Sequence, residues 1–130
     1  EVVVVETPFC KIGLSICYDL RFPELFRKLS EKGAELICLP AAFTSFTGKA
    51  HWEHLVKARA IENLVYFAAS AQGGYHVSGR ETYGNSIIVS PWGETLGILK
   101  NKSGVVVKDI NLDSLNKLRS NFPCLDHRII

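Results

Sequence analysis

The sequence has no methionine, no long apolar run and no block of like charges. No apolar stretch reaches the roughly 20 residues that cross a bilayer, and the first residues lack the charged-then-apolar order of a signal peptide. The 15 basic and 13 acidic residues are scattered and leave a net charge of +2, which supplies no footprint for a phosphate backbone. We therefore expect no membrane and no nucleic acid as partners, and a cytoplasmic location.

The four cysteines, Cys10, Cys17, Cys38 and Cys124, form no C-x-x-C pair and no Cys/His spacing of the zinc-binding kind. The glycine-rich segments lack the G-x-G-x-x-G and G-K-[ST] patterns that bind nucleotide phosphates. Because 47% of the residues are apolar, the chain has enough material for a core without disulfides. We expect reduced thiols, no metal and no cofactor.

What the sequence contains is an alternation of apolar strands and amphipathic helices. Strands are predicted at residues 1–7, 11–16, 35–39 (ended by Pro40), 65–71, 86–90, 95–100 and 105–110. Helices are predicted at residues 23–32, at 50–64 and in a short segment capped by Asp113, and residues 72–83 are predicted to be a long surface loop. The strand–helix–strand order indicates an α/β protein whose sheet also has antiparallel members.

Cys17 is the strongest candidate for chemistry, because it lies where a predicted strand turns into a helix. That geometry presents a side chain at the carboxyl edge of a sheet and directs backbone N–H groups at the atom it attacks. The helix N-terminus also stabilises a thiolate. The competing interpretation from position alone is an inert core thiol.

Other polar residues nearby allow two interpretations each. Arg21 suits a bidentate contact with an anionic substrate group, or a structural ion pair with Glu24 or Glu62. His51 and His54 stand three residues apart on the second helix, where a solvated helix end is favoured over a metal site, since no third ligand is evident.

Seven sequence blocks resemble the nitrilase, or carbon–nitrogen hydrolase, superfamily. The nucleophile block is GLSICYDLRFPE at residues 13–24. The others, in order, are LPAAFT (39–44), HWE (51–53), ARAIEN (58–63), QGG (72–74), YGNS (83–86) and PWG (91–93). The residues of these blocks are most similar to those of the amidase branch that includes deaminated glutathione amidase and ω-amidase. Asn85 stands where that branch has histidine.

The resemblance implies a Cys-Glu-Lys triad that hydrolyses a C–N bond through a thioester. Cys17 would be the nucleophile, and the backbone N–H of Tyr18 would bind the oxyanion. Arg21 would bind a substrate carboxylate. Three residues that follow the next strand would line the same pocket, namely Ala42, Phe43 and Thr44. Glu53 and Arg59 would be structural or interfacial.

The resemblance also sets expectations for the whole chain. The fold would be the C-terminal half of a four-layer αββα sandwich, with residues 1–130 forming a partial carbon–nitrogen hydrolase domain. Only sixteen residues precede Cys17, so the glutamate and lysine would lie upstream, and the valine-rich, methionine-free start would be an internal strand. A homodimer would form through the helices at residues 23–32 and 50–64.

The expected activity is hydrolysis of a small carboxylate-bearing amide with release of ammonia. Two alternatives remain at this point. The chain could be a non-catalytic fragment or interaction module, because the glutamate and lysine are absent, or the parent protein could be a nitrilase that cleaves C≡N with the same triad.

Overall fold

The computed structural model describes residues 1–129, which form eight strands and four α-helices. The strands are β1 Val4–Glu6, β2 Lys11–Leu14, β3 Leu36–Ala41, β4 Tyr66–Ala71, β5 Gly73–Tyr75, β6 Glu81–Tyr83, β7 Ser86–Val89 and β8 Thr95–Leu99. The helices are α1 Pro23–Glu31, α2 Ser45–Thr47, α3 Glu53–Asn63 and α4 Leu112–Asn121. A 3₁₀ helix, Cys17–Arg21, precedes α1, and one turn of π-helix, Gly48–Trp52, joins α2 to α3.

Six strands form one sheet in the order β1-β2-β3-β4-β7-β8, and β5 pairs with β6 in a separate hairpin. The central strands β2, β3 and β4 run parallel, whereas β1, β7 and β8 are antiparallel to their neighbours. Helix α1 connects β2 to β3, and α3 leads into β4. The parallel strands therefore end at one common edge, as the predicted strand–helix–strand order requires.

One face of the sheet carries the hydrophobic core. Alternate residues of β3, β4 and β7, such as Ile37, Phe67 and Ile87, are buried beneath α1 and α3. The Phe26 ring of α1 packs against the Phe67 ring with 5.7 Å between centroids. The period-2 pattern of the strands and the apolar stripe of the helices meet on this face.

The opposite face is apolar but incompletely covered. The strand register places these residues on it: Ile12, Leu14, Leu36, Cys38, Tyr66, Ala68 and Ile88. Most of these side chains are half-buried, and Leu14 is 45% exposed. The described residues thus provide one helix layer and one sheet layer with a second apolar face, which is the mixed α/β arrangement predicted for half of a four-layer sandwich.

Two predictions about the middle of the chain were wrong. Strand β3 continues through Pro40, which pairs with Ser70 of β4. The Cys38 carbonyl accepts a hydrogen bond from the Ser15 N–H on the β2 side of the strand. Pro40, two residues later, has its nitrogen on the same side but beyond the end of β2, where no ladder partner needs an N–H donor. Residues 72–83 are not a simple loop, because they form the β5–β6 hairpin.

Two predictions near the C-terminus were also wrong. Residues 105–110 form no strand, because the segment makes no ladder with a neighbouring strand and instead packs Val106 over Gly97 of β8. Helix α4 is capped by Asn111 rather than Asp113, since the Asn111 Oδ1 accepts a bond from the Ser114 N–H at 2.9 Å. Within residues 1–129, no helix has both the length and the apolar character needed to cross a bilayer.

Candidate active site

A cleft of about 450 Å³ opens at the carboxyl ends of the parallel strands. Its lining comes from the ends of β2, β3 and β4 and the start of β7: Ile16, Cys17, Pro40, Ala41, Ala42, Ser70, Ala71, Gln72 and Ser86. Ligands of open α/β sheets bind at this edge, because the strand ends and the loops that follow them converge there. Cys17 is the residue in this lining with a nucleophilic thiol.

Cys17 occupies a strained turn. Its φ of 44° lies in the left-handed region that a non-glycine residue adopts only when the surroundings enforce it. Asp19 enforces it here, because its carboxylate accepts the Ile16 N–H at 2.8 Å while its own N–H donates to the Ile16 carbonyl at 2.9 Å. The 3₁₀ helix Cys17–Arg21 then carries the chain away from the sheet. The thiol is therefore held at the cleft by a strand-to-helix elbow.

Two backbone N–H groups lie at this elbow. The Ala42 N–H donates to the Cys17 Sγ at 3.5 Å. Among residues 1–129 the Tyr18 N–H has no protein acceptor, as expected for the first turn of a helix. The site thus combines a soft nucleophile with one donor already on the sulfur and a second that is free to receive an oxyanion.

The three residues expected to line the pocket after β3 differ in their placement. Ala42 lines the cleft. Phe43 is 5% exposed and packs its ring 5.0 Å from that of Trp52, away from the cleft lining. Thr44 caps α2, with its Oγ1 accepting the Thr47 N–H at 3.4 Å. Substrate contact by Phe43 and Thr44 stays a prediction.

Arg21 is half-buried at the end of the 3₁₀ helix and is not part of the cleft lining. Its guanidinium stands 5.2 Å above the Phe43 ring and 5.6 Å above the Tyr18 ring, and Nη1 is 3.3 Å from the Nδ1 of His51. It forms no ion pair with Glu24 or Glu62. An arginine held by aromatic rings four residues after Cys17, without an acidic partner in the described part of the chain, is suited to an anionic group.

Arg59 and Glu53 have structural contacts. Arg59 is 6% exposed, donates from Nε to the Leu20 carbonyl at 3.0 Å and pairs with Glu62 at 3.0 Å. It therefore ties α3 to the 3₁₀ helix that carries Cys17. Glu53 pairs with Lys57 at 3.0 Å on the surface of α3.

Asn85 also has a clear structural role. Its φ of 63° is left-handed, a conformation that asparagine tolerates better than most residues. Its carbonyl accepts the Trp52 Nε1–H at 2.8 Å, and its Oδ1 accepts the Asn101 N–H at 3.2 Å. Asn85 therefore joins the helical layer to the turn after β8, beside Ser86 of the cleft.

The other cysteines lie in different environments. Burial raises the pKa of the Cys10 thiol, and the nearby Glu35 adds to the effect. Burial likewise raises the pKa of the Cys38 thiol, with a further contribution from Cys10. All four cysteines are free. Cys10 and Cys38 are accordingly kept as protonated thiols at neutral pH, unsuited to nucleophilic attack.

The sequence did not lead us to expect that β4 lines the cleft or that the β5–β6 hairpin supports it. Ser70, Ala71 and Gln72 lie at the end of the strand parallel to β3, and a signal for them existed, since neighbouring parallel strands end at the same edge. Arg80 of the hairpin, which contacts the Ala42 carbonyl, had no such signal. Within the residues described, no group of three His, Cys, Asp or Glu side chains is placed to hold a metal ion.

The fold and the site together define an α/β protein with a cysteine nucleophile elbow at a sheet edge. The model of the carbon–nitrogen hydrolase family matches residues 1–120. The chain belongs to the carbon–nitrogen hydrolase family.

Individual known proteins are similar to this chain over nearly its whole length. The deaminated glutathione amidase of Synechocystis sp. is 50% identical over 121 residues, which are 93% of this chain and 44% of that protein. The crystal structure of the C. elegans NitFhit protein superimposes with a TM-score of 0.94 at 44% identity, covering 97% of this chain and 31% of that one.

A further structure is that of a mutant amidase from Nesterenkonia sp. AN1, with the acetamide moiety of fluoroacetamide covalently added at its active-site cysteine. It matches with a TM-score of 0.77 at 30% identity, covering 93% of this chain and 47% of that one. The chain spans about half the length of the curated relatives it matches.

Proposed function

We propose that the protein carrying this chain is a cysteine amidase that hydrolyses a small carboxylate-bearing amide and releases ammonia. The observation that carries the proposal is the placement of Cys17 at a strained elbow, with the Ala42 N–H on its sulfur and the Tyr18 N–H unoccupied. The amidase names of the relatives and the cysteine adduct of the Nesterenkonia enzyme support the same assignment.

In the proposed reaction the Cys17 thiol gives its proton to a general base and its sulfur attacks the amide carbon, so a C–S bond forms and the carbonyl electron pair moves to oxygen. The Tyr18 N–H donates to no acceptor within residues 1–129, so it is available to donate to that oxyanion. The C–N bond then breaks, ammonia leaves with a proton from a general acid, and water splits the thioester to the acid and the free thiol. The proposal gives the acid–base role to the glutamate, and further oxyanion stabilisation to the lysine, of the triad that the family resemblance implies.

Arg21 supplies the proposed selectivity for a carboxylate. Its guanidinium is positioned by the rings of Phe43 and Tyr18 and has no acidic partner within residues 1–129. The substrate's carboxylate would bind at Arg21 while its amide lies at Cys17.

We also propose a dimer contact and a location. The exposed faces of α1 and α3 are the proposed dimer contact, and four free thiols support a reducing, cytoplasmic location.

Replacing Cys17 tests the assignment directly. In the full-length protein Cys17→Ser should lower the rate of ammonia release from small ω-amides by about 10³-fold or more, because a hydroxyl is a far weaker nucleophile without its own base. Cys124→Ser, which changes a thiol outside the cleft, is the matched control. Retained turnover in Cys17→Ser would overturn the proposal.

The nitrile-cleaving and non-catalytic alternatives give different results in the same assay. A nitrilase would turn over the nitrile corresponding to each amide faster than the amide itself. An interaction module would release no ammonia from either compound while still binding its partner. The amidase proposal requires the amide to be the better substrate.

A further inference from the structure

The β5–β6 hairpin and the residue before it bind the end of β3 and the two residues after it through three consecutive carbonyls. The Gln72 N–H donates to the Ala41 carbonyl, Arg80 Nη2 to the Ala42 carbonyl, and the Tyr83 N–H to the Phe43 carbonyl, each at 2.9 Å. Two of these donors are backbone groups. Arg80 is the one side chain among the three, and it reaches across 38 residues of sequence.

Ala42 is the middle residue of this set and also the one that contacts the nucleophile. Its carbonyl is held by Arg80, and its N–H donates to the Cys17 Sγ at 3.5 Å. Arg80, Ala42 and Cys17 therefore form one continuous chain of hydrogen bonds from the hairpin to the sulfur. Movement of Ala42 by a fraction of an ångström changes the direction of the donor that the thiolate receives.

We propose that Arg80 is a positioning residue for amide hydrolysis, which fixes Ala42 so that its N–H stays directed at the Cys17 sulfur. The role rests on the proposed function, since it acts through the nucleophile of that reaction. An arginine suits it because a charged donor makes a stronger bond to a carbonyl than a neutral one does.

The surroundings of Arg80 indicate that its side chain can be removed without destabilising the fold. The tip of the hairpin, residues 76–80, is exposed and contributes no side chain to the hydrophobic core. A turn closes it, with the His76 N–H donating to the Arg80 carbonyl and Gly79 at a φ of 82°. Loss of the Arg80 side chain therefore leaves the core contacts in place and releases the support of Ala42.

The experiment compares Arg80→Ala, Arg80→Lys and a matched control in the full-length protein. Val77→Ala is the control, because it alters the same exposed tip at a side chain that contacts neither Ala42 nor Cys17. We expect Arg80→Ala to lower kcat about tenfold while KM changes less than about twofold. Arg80→Lys should recover part of kcat, since an ammonium keeps the charge and one donor.

A second measurement does not depend on substrate. The rate of Cys17 alkylation by iodoacetamide, followed on its own peptide by mass spectrometry, should fall several-fold in Arg80→Ala and not in Val77→Ala. The thermal midpoints of all variants should agree within about 2 °C.

Two results would overturn the proposal. A raised KM with kcat and alkylation unchanged would make Arg80 a substrate-binding residue instead. A fall in the thermal midpoint that accounts for the lost activity would make it merely structural. Failure of the amidase assignment would look different: either the parent protein would release no ammonia from amides, or Cys17→Ser would keep its turnover, whatever Arg80 does.

Discussion

The two faces of the six-stranded sheet use the same strands but have different surroundings. On one face, Ile87 and its neighbours are sealed beneath α1 and α3. On the other, Ile88 and its neighbours are equally apolar yet only half-buried. Residues of the same type, one position apart, thus differ only in which layer lies over them.

The comparison shows that the chain itself buries one apolar face of the sheet and leaves the other half-buried. The helix-covered face is closed by groups within the chain, and it is the face that anchors the elbow, through Arg59 and the Leu20 carbonyl. The other face is covered only in part by residues 1–129, since Val106 packs over Gly97 beside Ile88 and the Tyr66 hydroxyl donates to the Asn111 carbonyl. An apolar sheet face of this kind is suited to a second sheet, as the predicted four-layer sandwich requires.

The largest expected effect comes from truncating the two adjacent isoleucines in the full-length protein. Ile87→Ala should cost about 2–5 kcal/mol of unfolding free energy, because it leaves a cavity under the helices. Ile88→Ala should cost a similar amount if a second sheet covers its face. Urea denaturation of both variants measures the difference.

The pair is its own control, since residue type and strand are the same. A cost below about 0.5 kcal/mol for Ile88→Ala would break the comparison by showing that this face meets solvent in the whole protein. A small cost for Ile87→Ala would instead contradict the core described here.

A smaller effect is expected at the link between the covered face and the elbow. Arg59→Met should cost about 1–3 kcal/mol, because the buried Leu20 carbonyl loses its donor. Lys57→Met on the same helix breaks an exposed pair with Glu53 and should cost at most about 0.5 kcal/mol. Chemical denaturation measures both, and equal costs would contradict the anchoring role of Arg59.

The smallest effect concerns Cys38 on the open face. Burial raises the pKa of its thiol above the ordinary value of 9.0. The folded state therefore keeps the proton where the unfolded chain loses it, so this contribution to stability is present below about pH 9 and declines as the pH rises further.

Cys38→Ala should remove this decline. Between about pH 8 and pH 10, the fall in unfolding free energy should be smaller than in the parent protein, by less than about 1 kcal/mol. Urea titrations at both pH values measure it. Identical falls in the two proteins would show that the Cys38 proton does not contribute.

The sequence predicted the strand–helix–strand unit and the place of Cys17, because both depend on local patterns. Period-2 apolar residues, Pro23 at the start of a helix and Gly33 with its φ of 87° are visible within a few positions. The β5–β6 hairpin was missed, because its two strands have three residues each, GGY and ETY, and carry no alternation of apolar residues. The end of β3 was placed too early, at Pro40, because a proline is accepted in this strand only where β2 has already ended, and the local sequence does not show that.

The candidate site was predicted to the same extent. Cys17, the Tyr18 N–H and Ala42 are in or beside the cleft, and they follow from residues near the strand ends. Phe43 turned out to be packed in the core, because the chain reverses at Thr44 into α2 and takes the ring beneath Arg21. No local pattern states which of three adjacent side chains faces a cleft.

The sequence by itself therefore determined the layer architecture, the family blocks and the position of the candidate nucleophile, since these rest on periodicity and on motifs a few residues long. The tertiary structure decided which donors reach the sulfur. The bonds from Arg80 to Ala42 and from Ala42 to Cys17 span 38 and 25 residues. Such contacts exist only once the sheet and the hairpin have brought distant segments together, because hydrogen bonds depend on distances and angles that sequence spacing does not define.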